Sequence, residues 1–403
     1  MTGTESRVRV LYLVYWGALE PLGQSLVVPA VRQLARENVD VTLVTVEKPG
    51  DLEDAAAVRG LAKSLADHGI RWRALRYHKR PKWPATAFDS LCVFFTAVAL
   101  RLRHGRFDIV HARTFVAGPV GFLVARLLGS RFVYHNEGFY PDEQVDGGVW
   151  RRDSFVHRLA RRIERFLYEH ADGLVTLSER AKETIGSRLA QRGKRTPIIV
   201  VPSAVDLEAF RPPATVPAGP LRVAYLGSVG LRYRLDDAGR FMVSLRELDP
   251  GATLTVISRA KRDLVETMLD ASGLPRESWT LKELPHSEVP VELARHHAGL
   301  FFLVEGLSEH GCSPTKIGEY WASGLPVVST PNVSDTDRAV RDHGVGVIVR
   351  PQDPRSMVDG ARALIGLLDD PLLKNRCREA AERIYSLERA CREQRRLYGE
   401  LAA

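Results

Sequence analysis

The chain has 403 residues, 45% hydrophobic and 26% charged, with Lys+Arg 57 against Asp+Glu 49 and a formal net charge of +8. This composition excludes a mainly disordered chain, a collagen-like chain and a coiled-coil rod, and the length predicts two or three domains, each able to bury its own core. The positive excess favours anionic partners (phosphates, nucleic acid or an anionic membrane face) without choosing among them.

Predicted elements alternate between strand and helix from the start. After the polar Met1–Ser6, with no signal peptide expected, Val8–Val14 is a continuous apolar run of strand length. Leu26–Arg36 has helical spacing, and Val39–Val46 is a second strand. Ala55–His68 (helix), Ile70–Leu75 (strand) and Ser90–His104 (helix) follow. The most apolar part of that last helix, Leu91–Leu100, is shorter than the roughly 20 residues a spanning helix needs. It reads as a core helix or one that dips into a membrane surface. Asp108–His111, Arg131–His135, Gly173–Ser178 and Ile198–Val201 are further strands, with Pro119–Leu128 and Phe155–His170 as helices between them. Phe210–Pro220 contains Pro212, Pro213, Pro217 and Pro220 and reads as a linker. Alternation then resumes, with Arg222–Leu226, Ala252–Ile257 and Leu300–Val304 among the strands, until a charged helical tail from Ser356 to Leu401.

The expected fold is α/β, with two doubly wound parallel sheets, residues 1–210 and 221–385, facing across a cleft, and ligands at the carboxyl ends of strands. Cys92, Cys312, Cys377 and Cys391 are scattered and form no CxxC pair, so neither a zinc site nor a disulfide framework is expected, which fits a reducing cytoplasm.

Four segments can carry chemistry. In Leu303–Thr330, Ser313 is a candidate N-cap and Pro314 a candidate first helical residue. The free first-turn amides near Thr315, together with Lys316, would suit an anion, and Glu319 would suit a ribose diol. In Tyr15–Ala30, Gly23 and Gln24 open a helix after a strand, and Gly23 lets backbone approach a bulky anion. There is no GxGxxG or Walker sequence. In Gly227–Arg234, Arg232 and Arg234 are candidates for a diphosphate clamp, with Ser258 and Arg259 a weaker parallel. In Phe132–Glu143, His135 and Glu137 follow a strand, and His135 is a candidate acid, base or hydroxyl ligand. Asp335-Thr336-Asp337 resembles a metal-binding DxD pair but reads as a helix cap, so no metal site is expected.

These segments, in this order, resemble the retaining GT-B glycosyltransferases of glycosyltransferase family 4. The likeness is carried by GQSLVVPAVRQLA with VTLVT, then DIVHAR, ERFLYEHADGLVTLSE and VPSAVDLEAF, and finally PTKIGEYWASGLPVVST with GVGVIVRPQDP. The resemblance implies a nucleotide-sugar donor on the second lobe, an acceptor on the first, and a C-terminal helix, within 386–403, that crosses back to the first lobe. It places Glu319 on the donor ribose and Gly23 near the diphosphate. Gly311 stands in the slot of the family's first Glu, with Glu305 and Glu309 close by; Ser228 and Tyr233 stand where the family has Arg and Lys; Glu137 stands where it has His. Lys316, Arg232, His135 and Glu137 are then the candidate catalytic residues.

The expected reaction is sugar transfer from a nucleoside-diphosphate sugar to a hydroxyl of a small-molecule or lipid-linked saccharide acceptor, without cofactor or metal. The leaving phosphate would help to deprotonate the acceptor on the same face. Alternatives are a sugar-nucleotide epimerase and, in another class, a basic nucleic-acid binder, although no nucleic-acid motif accompanies the charge. The expected location is cytoplasmic, with peripheral contact to an anionic inner membrane face left open.

Overall fold

Apolar runs of strand length are buried on both faces only where helices cover a parallel sheet, and both halves of the chain solve the problem that way. The computed structural model describes residues 7–215, 218–230, 232–304 and 306–403. The first sheet holds β1 (Val8–Val14), β2 (Val39–Glu47), β3 (Arg71–Arg76), β4 (Ile109–Arg113), β5 (Arg131–His135), β6 (Gly173–Thr176) and β7 (Ile198–Val200), in the order β3-β2-β1-β4-β5-β6-β7. The second holds β8 (Arg222–Leu226), β9 (Thr253–Ile257), β10 (Trp279–Lys282), β11 (Ala298–Phe301), β12 (Val327–Ser329) and β13 (Gly346–Ile348), in the order β10-β9-β8-β11-β12-β13. Every strand pair is parallel.

The order reverses beside β1 in one sheet and beside β8 in the other, and such switch points place ligand sites outside the carboxyl ends of the flanking strands. Helices cover the sheets with stripes at helical spacing. Val28, Val31 and Leu34 are buried in the helix Val28–Arg36, and His157, Ala160, Glu164, Leu167 and Tyr168 in Phe155–His170. Ser154 and Ser178 cap their helices by accepting the His157 and Ala181 N–H groups.

The chain divides into two compact units: 1–141, 152–202 and 387–403 form the first, and 142–151 with 203–386 the second. The division at Pro202–Ser203 precedes the expected linker because Val205 and Phe210 are core residues of the second unit. Pro217 lies outside the described residues. The last helix, Leu387–Ala402, belongs to the first unit, where Ala390, Cys391, Leu397 and Tyr398 join the core beneath β1. The helical tail consists of three helices, Pro354–Leu368, Leu373–Ile384 and Leu387–Ala402.

Candidate functional site

In the second unit the helix Thr315–Ala322 follows β11 and a short 3-10 turn. Its position is set from beneath. Ile317, Tyr320 and Trp321 are buried. The Tyr320 hydroxyl accepts the Leu226 N–H at 2.7 Å, and Trp321 Nε1 donates to the Val345 carbonyl at 2.9 Å. A helix held on both sides in this way presents its first turn in one orientation. The N-cap position is Pro314, not Ser313, and it makes no side-chain cap bond. Ser313 is drawn away because its hydroxyl accepts the Ser203 N–H at 3.0 Å. Among the described residues the Thr315 and Lys316 amides therefore take no partner, which leaves a helix end with open donors, of the kind that suits an anion.

Lys316 folds back from that turn. Its ammonium stands 5.1 Å from the centre of the Tyr233 ring, and its stem fills the space beside Gly227. Burial pushes its pKa below the ordinary lysine value, with the Glu319 charge opposing. A lysine so short of solvation gains from any dianion brought to it. Glu319, one turn on and buried, accepts from His286 Nε2 at 3.2 Å. That bond is the main cause raising the His286 pKa.

Residues 232–234 run antiparallel to 302–304, through an Arg234 N–H bond to the Phe302 carbonyl and a Val304 N–H bond to the Arg232 carbonyl. Arg232 Nε donates to the buried Glu309 at 3.1 Å, with Glu143 3.9 Å away. Burial alone would lower the Arg232 pKa, but these carboxylates raise it and keep the charge fixed. Burial raises the Glu309 pKa against the pull of Arg232. Arg234 is held at Asp236 by two bonds of 3.0 and 2.6 Å. The pair expected to clamp a diphosphate is thus already matched by protein carboxylates. Ser258 accepts the Ala260 N–H at 3.1 Å, closing a local turn, and leaves Arg259 alone as the candidate there. Glu305 lies outside the described residues. Gly311 ends the 3-10 turn, and Glu309 is the carboxylate directed inward.

In the first unit, β4 and β5 deliver Arg113 and His135 to their carboxyl ends, with His111 in the middle of β4, all buried. Arg113 donates to Glu137 and, at 3.1 Å, to the Leu26 carbonyl. Burial alone would lower the Arg113 pKa, but Glu137 and Tyr12 together raise it, and the Glu137 pKa rises through burial. Tyr398 of the last helix lies 2.8 Å from His111 Nδ1, and His111 Nε2 lies 3.2 Å from His135 Nδ1. Gln394 donates to the Tyr398 hydroxyl, so the Tyr398 proton goes to His111 Nδ1. His111 then carries its proton on Nε2, and so does His135. Burial holds both imidazoles well below the ordinary histidine pKa, hence neutral. His135 Nε2 is buried with no partner among the described residues, as is Asn136 Nδ2 beside it. Both are donors in want of an acceptor.

Gly23 lies in a wide helical turn, Gly23–Val27, not in an N-cap. A Cβ there would meet the Gly17 carbonyl oxygen at 1.9 Å, so glycine is needed for loop packing. Ser25 donates to the Leu22 carbonyl at 3.3 Å and does not cap; Gln24 is exposed. The loop amides of Ala18 and Leu19 are taken by the buried Glu47 carboxylate at 2.7 and 3.1 Å. Asp335 occupies the N-cap position of Thr336–His343, and among the described residues no cluster of three His, Cys, Asp or Glu could hold a metal ion.

Residues 25–209 match the model of Glycosyltransferase Family 4. A D-inositol 3-phosphate glycosyltransferase of Arthrobacter sp. (strain FB24) is 26% identical over 316 residues, 72% of this chain and 69% of that protein. The chain has the fold of the GT-B glycosyltransferases, and its residues 25–209 match family 4. A sucrose-phosphate synthase from Thermosynechococcus elongatus superposes with a TM-score of 0.71 at 16% identity, over 98% of this chain and 99% of that one. Anabaena HepE, solved in complex with UDP, gives 0.67 at 14% identity, over 96% and 99%. In this glycosyltransferase the structure gathers Lys316, Glu319 and the Thr315 amide in one turn, and gathers His135 and Glu137 separately, with Arg113, in the first lobe. Sequence reasoning passed over Arg113, His111, Tyr398 and His286 as individual residues. The DIVHAR motif that contains the first two was the available signal.

Proposed function

We propose that this glycosyltransferase binds a nucleoside-diphosphate sugar on its second lobe and transfers the sugar, with retention, to a hydroxyl of an acceptor held by the first lobe. The observation that carries this is the first turn of Thr315–Ala322: open amides, an under-solvated Lys316 and a buried Glu319 within one turn. The diphosphate accepts hydrogen bonds from the amides and lies against the ammonium, and a ribose diol donates to Glu319. HepE with UDP supports this class of donor. As the bond between the anomeric carbon and the phosphate oxygen breaks, its electron pair goes to the leaving diphosphate. Lys316 and the helix amides are placed for that growing charge, and preorganised charge is usually the main source of rate acceleration in such chemistry. The acceptor oxygen bonds to the same face of the anomeric carbon, and its proton passes to the departing phosphate. In the first lobe, the His135 Nε2–H and the Asn136 amide are the candidate donors to acceptor hydroxyls. The proposal needs no metal or cofactor; the acceptor is a small-molecule or lipid-linked saccharide, and the enzyme works on the cytoplasmic side.

A thermal-shift panel of nucleoside diphosphates and their sugars tests the donor site. A ligand at 100 times its Kd adds about 2.7 kcal/mol of stability, and one base should stand out. The anomeric configuration of the product, read by NMR, tests retention, and unchanged turnover in chelator tests metal independence. Donor consumption without any acceptor would instead favour an epimerase.

A further inference from the structure

The first lobe carries an apolar face that its own core does not use. In the helix Lys82–His104, Ala85, Asp89, Val93 and Ala97 are buried, and Asp89 accepts from the Tyr15 hydroxyl and the His78 N–H, both at 3.0 Å. Phe88, Leu91, Phe95 and Leu102 project from the other side, Phe95 65% and Leu102 82% exposed. At about 100° per residue these four fall within roughly 60° of one another around the axis. Only 22% of the apolar window Pro84–His104 is buried, so this is no ordinary core helix. The neighbouring helix Ala117–Leu128 exposes Leu123 and Leu127. Beyond it, joined through Phe122 and Phe166 rings 4.9 Å apart, Phe155–His170 exposes Phe155, Leu159 and Phe166. Large exposed apolar patches on soluble folds mark interaction sites.

Charge identifies the partner. The same three helices carry exposed Arg103, Arg126, Arg158, Arg162 and Arg165. Their acidic residues are Asp89 and Glu164, both buried, and Glu169, which is half-buried. A second copy of this chain would bring arginines against arginines. An anionic bilayer meets both features, with phosphates for the guanidinium groups and hydrocarbon for the aromatic and leucine side chains. Because the Asp89 side is fixed to the fold, the helix lies along the membrane and does not cross it.

We propose that this three-helix face docks the enzyme on an anionic lipid bilayer, Phe95 and Leu102 entering at headgroup depth and Arg103, Arg158 and Arg162 meeting lipid phosphates. The docking does not depend on the donor site. It adds to the proposed function that the acceptor is met at a lipid surface.

The test is sedimentation of the full chain with vesicles of phosphatidylcholine, alone or with a third replaced by phosphatidylglycerol, at low and high salt. The protein should pellet with the anionic vesicles at low salt and be partly released at high salt. Each arginine near such a surface is worth about fivefold in partitioning, so Arg103→Glu/Arg162→Glu should lower binding roughly 25-fold. Phe95→Gln/Leu102→Gln should lower it at least about tenfold. Both pairs are exposed, and an unchanged nucleoside-diphosphate thermal shift shows that the fold survives. Wild-type protein left in the supernatant overturns the proposal, as do two variants that pellet like wild type. A solution dimer split by Phe95→Gln/Leu102→Gln also overturns it and assigns the face to a second copy. If no nucleoside diphosphate shifts the wild-type protein, the donor site fails while the vesicle result stands.

Discussion

Replacing Gly227 by alanine tests whether Lys316 acts from where it stands. Gly227 has φ +116°, and a Cβ there would lie 2.2 Å from Lys316 Cε and 3.1 Å from Nζ. Two effects follow, and they separate. A side chain in that backbone region costs about 1–3 kcal/mol whatever occupies position 316. At about 2–4 °C per kcal/mol for a unit of this size, the melting temperature falls by roughly 2–12 °C. The second effect, displacement of the ammonium, lowers transfer only while there is an ammonium to displace. Lys316→Ala should cost at least about tenfold in kcat/KM, ~1.4 kcal/mol of barrier. Gly227→Ala should then cost about tenfold in the wild-type background but less than about threefold in Lys316→Ala. The assay is a double-mutant cycle in initial rates at subsaturating donor, with melting curves alongside. An equal cost in both backgrounds refutes the assignment of Lys316, as does wild-type turnover by Lys316→Ala.

Glu137→Gln removes the carboxylate opposite Arg113, whose side chain is 5% exposed. An unpaired buried charge costs about 3–5 kcal/mol; partial exposure of Glu137 sets the expectation at the low end, and denaturant melts that match wild type would contradict it. Tyr398→Phe takes the donor from His111 Nδ1. It should cost about 1–3 kcal/mol of stability and lower kcat with little change in donor KM, because His135 loses its imposed tautomer; nitrogen chemical shifts of the imidazoles report the tautomer directly. His286 has a folded pKa raised by Glu319. Its contribution to stability is full below the unfolded value of about 6.5 and is lost as pH rises through the higher folded value. The melting-temperature advantage of wild type over His286→Asn should therefore shrink as pH rises above neutrality. A constant difference would mean that the ion pair does not form.

The strands were legible because parallel strands buried on both faces need uninterrupted apolar runs, and Val8–Val14 and Val39–Glu47 are such runs. Lys316 and Glu319 were legible for a local reason, since three residues on a helix are neighbours whatever the rest of the chain does. The failures are tertiary. Ser313 looks like a cap until Ser203, distant in sequence, donates to it. Arg232 looks free until Glu309 arrives from the loop after β11. Arg234 is a local case instead, because Asp236 and Asp237 stand beside it in the sequence and take its guanidinium. The exposed helix face was half visible: an apolar run looks the same in a core and at a lipid surface, and only burial of the Ala85–Ala97 side tells which side is left over.

The same geometry accounts for the departure at Tyr233. The family pattern expects a lysine at that slot in the loop after β8, and this chain has an aromatic ring there. The ring stands beside a different cation. Lys316 reaches back from the helix with its ammonium over Tyr233, and Gly227 leaves the space its stem requires. Glycine, tyrosine and lysine are therefore one device, and the ring face stabilises the ammonium by about 0.5–2 kcal/mol. Tyr233→Lys in the wild-type background would place two ammonium groups at one spot. It should impair nucleoside-diphosphate binding through strain and repulsion, whereas Tyr233→Lys/Lys316→Ala should recover binding above Lys316→Ala alone. Isothermal titration of the four proteins with the preferred nucleoside diphosphate decides it: if the double variant binds no better than Lys316→Ala, the cation at Lys316 does not occupy the place of the loop lysine.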